Sequence, residues 1–313
     1  MKNRKYATGS GPIALSLLDF CDVGTDGSAE RGLAASIESA VLADRLGFKR
    51  YWLAEHWGVG VSTPSPEVLT PVIAGITERI RVGPAGVLLP FYSPLKVASN
   101  ALLAEHLFPG RTDLGLARGA AAPEVVRALV GDGDWRSLAT TYPDKVCEVV
   151  SCVEGRGSVA ARSDDGAAPE IWILGAGSGS APLAARLGTS FALSLFHVGA
   201  AADPTIITDI YRSNFRPSPI RGGRAQACIA VAGVCADTDA AAQRIASAHT
   251  NSFVHLNVIG TPVRWRDELT TLCRGFAVDE VVVLELSRHF EDHRRAIEAL
   301  AEAFALDVAL ASA

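Results

Sequence analysis

The strongest constraint in this 313-residue chain is an alternation, kept up from end to end, of short apolar runs with longer amphipathic segments. The apolar runs fall at 13–18, 50–54, 80–89, 112–117, 170–174, 190–195, 227–235 and 280–286. They are apolar throughout rather than at every second position, as parallel strands covered by helices on both faces are. Helix-length segments lie between them at 29–46, 66–77, 94–107, 142–154, 181–187, 204–215, 238–255 and 291–304, with an extra one at 263–276. Punctuation agrees with this reading. Ser28 or Thr25 can cap the first helix and Gly47 stands after it, Ser65-Pro66 and Ser93-Pro94 place proline at a first helical position, and Gly188 closes the fifth helix. Eight βα units predict a closed (β/α)8 TIM barrel, with residues 1–313 as a single domain. A doubly wound open sheet is the runner-up, but its first turn would carry a glycine-rich dinucleotide loop, and here that turn is Asp19-Phe20-Cys21-Asp22.

Composition removes several function classes. The net charge is −5 and no basic run is long, so the clustered positive field of a nucleic-acid surface is missing. The six cysteines form no C-x-x-C pair and no zinc pattern, which predicts reduced, mostly buried thiols in the cytoplasm. Lys2, Arg4 and Lys5 ahead of the 13–18 run superficially suggest a secretory leader, but the run is short and Asp19 interrupts it, so it reads as the first strand. No stretch approaches the roughly 18 apolar residues of a membrane span.

In such a barrel the chemistry gathers just past the strand ends. There stand Asp19, Glu55-His56-Trp57, the residues 86–90, Arg118-Gly119, Gly175-Ala176-Gly177-Ser178-Gly179-Ser180, His197 and Glu285. The Gly/Ser segment lies between a strand and a helix, where open backbone, helix N-terminal amides and hydroxyls suit a phosphate, or where Ser178 simply caps the helix. Arg118 on the same rim completes an anion site or is an ordinary solvated arginine. His56 is placed to donate or accept a proton near neutral pH, or is a packed histidine. Asp19, Glu55 and Glu285 could suggest a glycosidase pair, although Glu55 reads better as a structural partner to the rim. Trp57, Phe91, Tyr92, Phe196 and His197 suggest an aromatic-lined substrate pocket, and core packing would use the same residue types.

Taken together, the stretches Tyr51-Trp52-Leu53-Ala54-Glu55-His56, Arg79-Ile80-Arg81-Val82-Gly83-Pro84-Ala85-Gly86-Val87-Leu88-Leu89-Pro90, Pro109-Gly110-Arg111-Thr112-Asp113-Leu114-Gly115-Leu116-Ala117-Arg118-Gly119 and Trp172-Ile173-Leu174-Gly175 resemble the bacterial luciferase-like flavin monooxygenases, single-chain branch. Ser93-Pro94-Leu95-Lys96, Ala184-Ala185-Arg186-Leu187-Gly188 and Gly260-Thr261-Pro262 follow in family order, so the likeness spans most of the chain. The resemblance implies FMN at the C-terminal rim. Arg118 with Gly177, Ser178, Gly179 and Ser180 would hold the phosphate, Ala85 and Gly86 would lie beneath the ring with a cis peptide between them, and His56 would be the catalytic histidine. It further implies a two-component monooxygenase: reduced FMN supplied by a separate flavin reductase, dioxygen, a small organic substrate, and a homodimer. Residues Val72, Ile73, Ile76 and Leu102 on the second and third helices are expected to be exposed and to form its interface.

Three departures from the family pattern matter. Trp57 stands where a second histidine is common, the stretch after Arg118 offers no second phosphate-binding arginine, and the long luciferase lid is missing, which argues against light emission. A deazaflavin-dependent hydride-transfer enzyme and a non-catalytic flavin-binding protein remain as alternatives.

Overall fold

The computed structural model describes residues 12–306 apart from 26, 59, 64, 120, 132, 133, 160, 162–165, 178, 198–202, 219, 221 and 250–253. The strands in chain order are β1 (Ala14–Asp19), β2 (Arg50–Leu53), β3 (Arg81–Pro84), β4 (Val87–Leu88), β5 (Asp113–Ala117), β6 (Glu170–Gly175), β7 (Ser190–Ser194), β8 (Ala227–Cys235), β9 (Val258–Gly260) and β10 (Glu280–Glu285). The helices are α1 (Ala29–Arg45), α2 (Pro66–Ile76), α3 (Pro94–Leu107), α4 (Pro123–Val130), α5 (Trp135–Thr140), α6 (Tyr142–Val153), α7 (Ser180–Leu187), α8 (Thr205–Asn214), α9 (Asp239–Ser247), α10 (Pro262–Phe276) and α11 (Phe290–Ala303).

All pairings between these strands are parallel and run β3-β2-β1-β10-β8-β7-β6-β5-β4, with β9 added beside β8. A bridge from Val82 to Thr112 brings β3 against the start of β5, so β3 and β4 are two halves of one strand that closes the expected (β/α)8 barrel.

Each strand divides its side chains between two layers. Leu15, Leu17, Val281 and Val283 pack outward against the helices, while Leu18, Trp52, Trp172, Cys228 and Val282 fill the inside. The inner residues are large in the lower half, where Trp52 and Trp172 meet edge to face at 5.1 Å. Ala54, Ala85, Ala192, Ala230 and Ala232 are also inner residues. With so little side-chain volume there, room for a ligand follows from the choice of residues.

The N-terminal end of the barrel is closed by charge. Arg50, buried, donates from Nη1 to Asp113 (2.8 Å) and Glu170 (3.1 Å) and from Nε to Glu280 (2.7 Å). Trp52 Nε1 donates to Asp113 at 2.8 Å, and the Arg50 guanidinium lies 4.6 Å from the Trp172 ring centre.

Several caps are as read from the sequence. Ser28 accepts from Arg31 N, Ser93 from Lys96 N, and Gly47 and Gly188 are left-handed. Gly188 is also crowded, since a Cβ there would fall 2.6 Å from Arg216 O.

Three regions differ from the sequence reading. The 80–89 run breaks at a cis peptide between Ala85 and Gly86, as the resemblance implied, and its end turns into a 3-10 turn at Leu89–Phe91. The irregular 120–140 stretch holds α4 and α5, each too short to show helical periodicity. Asp134 caps α5 by accepting from Ser137 N at 3.1 Å. The expected helix over 238–255 ends at Ser247, and β9 follows it. Just before β9, the Asn257 side chain accepts from Ala232 N (2.9 Å) and donates to Leu195 O (3.1 Å), which holds Asn257 beside β8.

Candidate active site

A cavity of about 1640 Å³ opens at the C-terminal ends of the strands, where the barrel architecture predicts it. His56, Ala85, Gly86, Arg118, Gly177, Gly179, Ser180 and His197 all line it, although they come from five separate strand ends. Ser178 lies outside the described residues.

His56 follows β2 and is held on two sides. The Phe20 ring meets it edge-on at 4.3 Å, and the Phe20 backbone carbonyl accepts a hydrogen bond from the imidazole. Burial, with His197 nearby, pulls its pKa below the usual histidine value despite that hydrogen bond. A neutral imidazole whose N–H is committed to a carbonyl has its other ring nitrogen left as an acceptor. His197 stacks on Phe196 at 4.7 Å and is hydrogen-bonded through Nδ1 to Ser194 Oγ at 2.6 Å; burial lowers its pKa too.

The opposite part of the wall is backbone. A Cβ on Gly175 would fall 2.2 Å from Ser180 Oγ, whereas one on Gly177 or Gly179 would meet nothing within 4 Å. Glycine is thus required at the first position by crowding, and at the other two it leaves the main chain open to the cavity. Helix α7 starts at Ser180 behind Gly179, which has no side chain with which to cap its first amides. Arg118, just past β5, is exposed on the same wall. On the floor, a Cβ on Gly86 would come within 3.0 Å of Ala117 N and Gly115 O, which fixes how closely this turn lies against β5.

Trp57 and Tyr92, expected in the substrate pocket, are both placed against Glu55. Neither is on the cavity wall, because buried Glu55 draws both to itself. Trp57 Nε1 donates to Glu55 Oε1 at 2.9 Å, the Tyr92 hydroxyl donates to the same oxygen, and Leu88 N donates to Oε2 at 2.9 Å. Burial raises the Glu55 pKa, and those three donors pull it back. Glu55 is accordingly the structural partner of the rim. Lys145 Nζ supports the same turn by donating to the carbonyls of Pro90 (2.7 Å) and Tyr92 (2.9 Å). Phe91 is buried away from the cavity, and the Phe, Tyr and Trp rings that line it are Phe20, Trp52, Tyr142, Phe196 and Phe215. Trp52 gave no signal in the sequence because it sits inside an ordinary apolar run, and Phe20 none because it sits in the short turn after β1. Arg186, within the Ala184–Gly188 stretch, and Arg216 also line the cavity, and neither was singled out from the sequence.

The chain matches the luciferase-like monooxygenase family over residues 14–303. It is 30% identical to the luciferase-like monooxygenase of Escherichia coli K12 over 289 residues, covering 88% of this chain and 83% of that one. Among solved structures it is similar to apo-MsnO8, with a TM-score of 0.84 and 30% identity over 95% of this chain and 99% of that one. The fold is shared with the oxygenating constituent of 3,6-diketocamphane monooxygenase from Pseudomonas putida, solved in complex with FMN, at a TM-score of 0.72, 18% identity, and 96% and 98% coverage. This chain belongs to the luciferase-like monooxygenase family, and is an oxidoreductase by that membership.

Proposed function

We propose that this protein is a two-component, FMN-dependent monooxygenase that inserts one oxygen atom into an organic substrate. The observation that carries the reading is the meeting of His56, the Ala85–Gly86 turn, Arg118 and the Gly/Ser loop on one cavity. The residues fit the cofactor. Arg118, the open backbone of Gly177 and Gly179, Ser180 and the start of α7 would hold the phosphate, and Ala85 and Gly86 would border the ring. When bound, reduced FMN supplies the two electrons that divide dioxygen between product and water.

The rest falls to this chain. His56, neutral and oriented by Phe20, accepts a hydrogen bond or a proton at its free ring nitrogen on the cavity side. Phe20, Trp52 and Phe196 keep that space apolar and exclude water around an organic substrate. His197, its ring fixed by Ser194 and Phe196, stands where it can contact that substrate. The turn after β1 lacks the glycines of a dinucleotide site, in keeping with reduction by a separate flavin reductase. We further propose a cytoplasmic homodimer. No helix among the described residues is long and apolar enough to cross a membrane, and all six cysteines are free.

Equilibrium titration with reduced flavins under anaerobic conditions tests the cofactor assignment. FMN should bind more tightly than riboflavin by about 10- to 150-fold, the worth of a charge-assisted hydrogen bond of roughly 1.5–3 kcal/mol. FAD should bind less well than FMN, and Arg118→Ala should remove much of the FMN preference while leaving riboflavin affinity little changed. Equal affinities for FMN and riboflavin in the unmodified protein would overturn the phosphate site.

A further inference from the structure

Behind the wall that carries His56 lies a second cavity, of about 380 Å³. Leu18, Phe20 and His56 line both spaces, so the imidazole forms part of the partition between them. The two differ in chemistry. The front wall near His56 carries Phe20, Phe196 and His197, whereas the rear cavity is bordered by Asp19, Glu285, His293 and the hydroxyls of Ser36 and Ser39. Asp22 and Arg288, both exposed, border it as well, so the rear cavity reaches the surface. At about 30 Å³ of liquid volume per water, the space accommodates on the order of ten waters with polar partners.

These groups are held in place from several elements. Asp19 accepts from the Tyr51 hydroxyl at 2.6 Å and from Cys21 N at 2.7 Å. Glu285, buried at the end of β10, accepts from Ser287 N (3.0 Å) and Ser287 Oγ (2.8 Å) and pairs with His293 Nδ1 at 2.7 Å. Burial opposes a charge on His293, but the hydrogen bond and charge of Glu285, aided by Asp19, outweigh it and raise the pKa. The oxygenation itself uses none of these groups. Yet a histidine that takes or gives a proton in each turnover must be reset, and a reset through the front cavity would bring water onto the reacting centre.

We infer that the rear cavity is the path by which His56 exchanges protons with solvent while the front cavity is filled, with Asp19, Glu285 and His293 positioning and relaying along it. The step is a bare proton transfer: once His56 has taken up a proton, the imidazolium passes one to water in the rear cavity and the neutral imidazole is restored, with no change of oxidation state. The inference rests on the FMN reading above, because it requires a ligand that covers the front.

The test is the exchange rate of the His56 ring N–H with water, read by NMR on protein labelled with ¹⁵N-histidine, with and without saturating oxidised FMN. Ala35, on α1, borders the rear cavity only, so Ala35→Phe fills that space without touching the front. In the unmodified protein, FMN should leave exchange nearly unchanged. In Ala35→Phe, exchange should stay fast without FMN and slow on the order of 10²-fold with it, the low end of what a positioned proton-transfer group contributes. Ala35→Leu, a smaller plug, should act in the same direction and covers the case in which phenylalanine prevents folding. His293→Gln, which can still donate to Glu285, should slow exchange with FMN bound while keeping most of the stability that a purely structural pair would supply. Unslowed exchange in the FMN-bound Ala35 variants would overturn the path and leave the cofactor assignment standing. Absence of FMN binding in the unmodified protein would instead show directly in the flavin absorbance, and would remove the cofactor reading and the path together.

Discussion

The two ends of the barrel both collect charged and polar side chains but use them in opposite ways. At the N-terminal end, Arg50 is 1% exposed and satisfied by Asp113, Glu170 and Glu280, each of which has a further partner such as Arg81, Ser190 or Lys49. At the C-terminal end, Arg118 is exposed, the Gly177 and Gly179 backbone stands open, and His56 lines the cavity. Charges that saturate one another serve folding, and donors left open around a cavity serve a ligand. The contrast is sharpest between Arg50 and Arg118, which have the same side chain and differ only in which end of a strand they occupy.

The largest expected effect breaks the closed end. Arg50→Ala leaves Asp113 and Glu280 buried and without their main counter-charge, and should cost about 3–5 kcal/mol in chemical denaturation. Arg50→Lys keeps the charge but loses the forked geometry, and should fall between that variant and the unmodified protein. Arg118→Ala should leave the denaturation midpoint unchanged. A wild-type midpoint for Arg50→Ala would mean the ring of charges does not hold the barrel together.

The open end responds in rate instead. His56→Ala should keep FMN binding and fold stability but lower product formation about 10²–10⁴-fold. Oxygen consumption should then appear largely as hydrogen peroxide. Parallel assays of product, oxygen and peroxide check this, and product at the unmodified rate would take His56 out of the mechanism.

This contrast also explains what was legible in the sequence. The barrel could be read because buried parallel strands impose apolar runs and the helix ends impose Ser, Pro and Gly at fixed places, as at Ser28, Pro94 and Gly188. The parts of the site attached directly to strand ends, such as His56, Arg118 and the Gly/Ser loop, could be placed by counting strands. Trp57 and Tyr92 could not, because their orientation depends on Glu55, which is buried by long-range packing that leaves no local trace. The side of a helix facing solvent was also partly hidden. Ile73 and Leu102, expected at an exposed interface, are buried under the barrel layer, while Val68, Val72, Ile76, Leu103 and Leu107 form the exposed apolar set on α2 and α3. Likewise Asp19 and Glu285, 266 positions apart in the chain, border one rear cavity only because β1 and β10 are paired.

The exposed apolar set on α2 and α3 sharpens the comparison at the outer surface, where neither closed charge nor ligand accounts for it. If these helices pair two copies by a twofold axis, Val72→Asp with Ile76→Asp should halve the mass seen by light scattering at micromolar concentration. The same substitutions should leave FMN affinity unchanged. An unmodified protein that is already monomeric would assign these side chains to another role.

The smallest effect is a pH dependence of stability with opposite signs at two histidines that border the same rear cavity. His56 has a lowered folded pKa, chiefly from burial, so the unfolded chain protonates it first as pH falls below about 6.5. Its neutral form is thus favoured by folding, and it withdraws stability on the acid side. His293 has a raised folded pKa: burial opposes the charge, and Glu285 with Asp19 outweighs it. Its contribution is fully present below the unfolded value of about 6.5 and is lost as pH rises through the raised folded value. Measured as the change in denaturation midpoint between pH 5.5 and pH 8, His56→Gln should gain relative stability at the acid end, and His293→Gln should lose it there. Because every other titrating group is common to both variants, the difference between the two slopes isolates this pair. Slopes of the same sign would show that the cavity wall does not divide a neutral imidazole from a charged one.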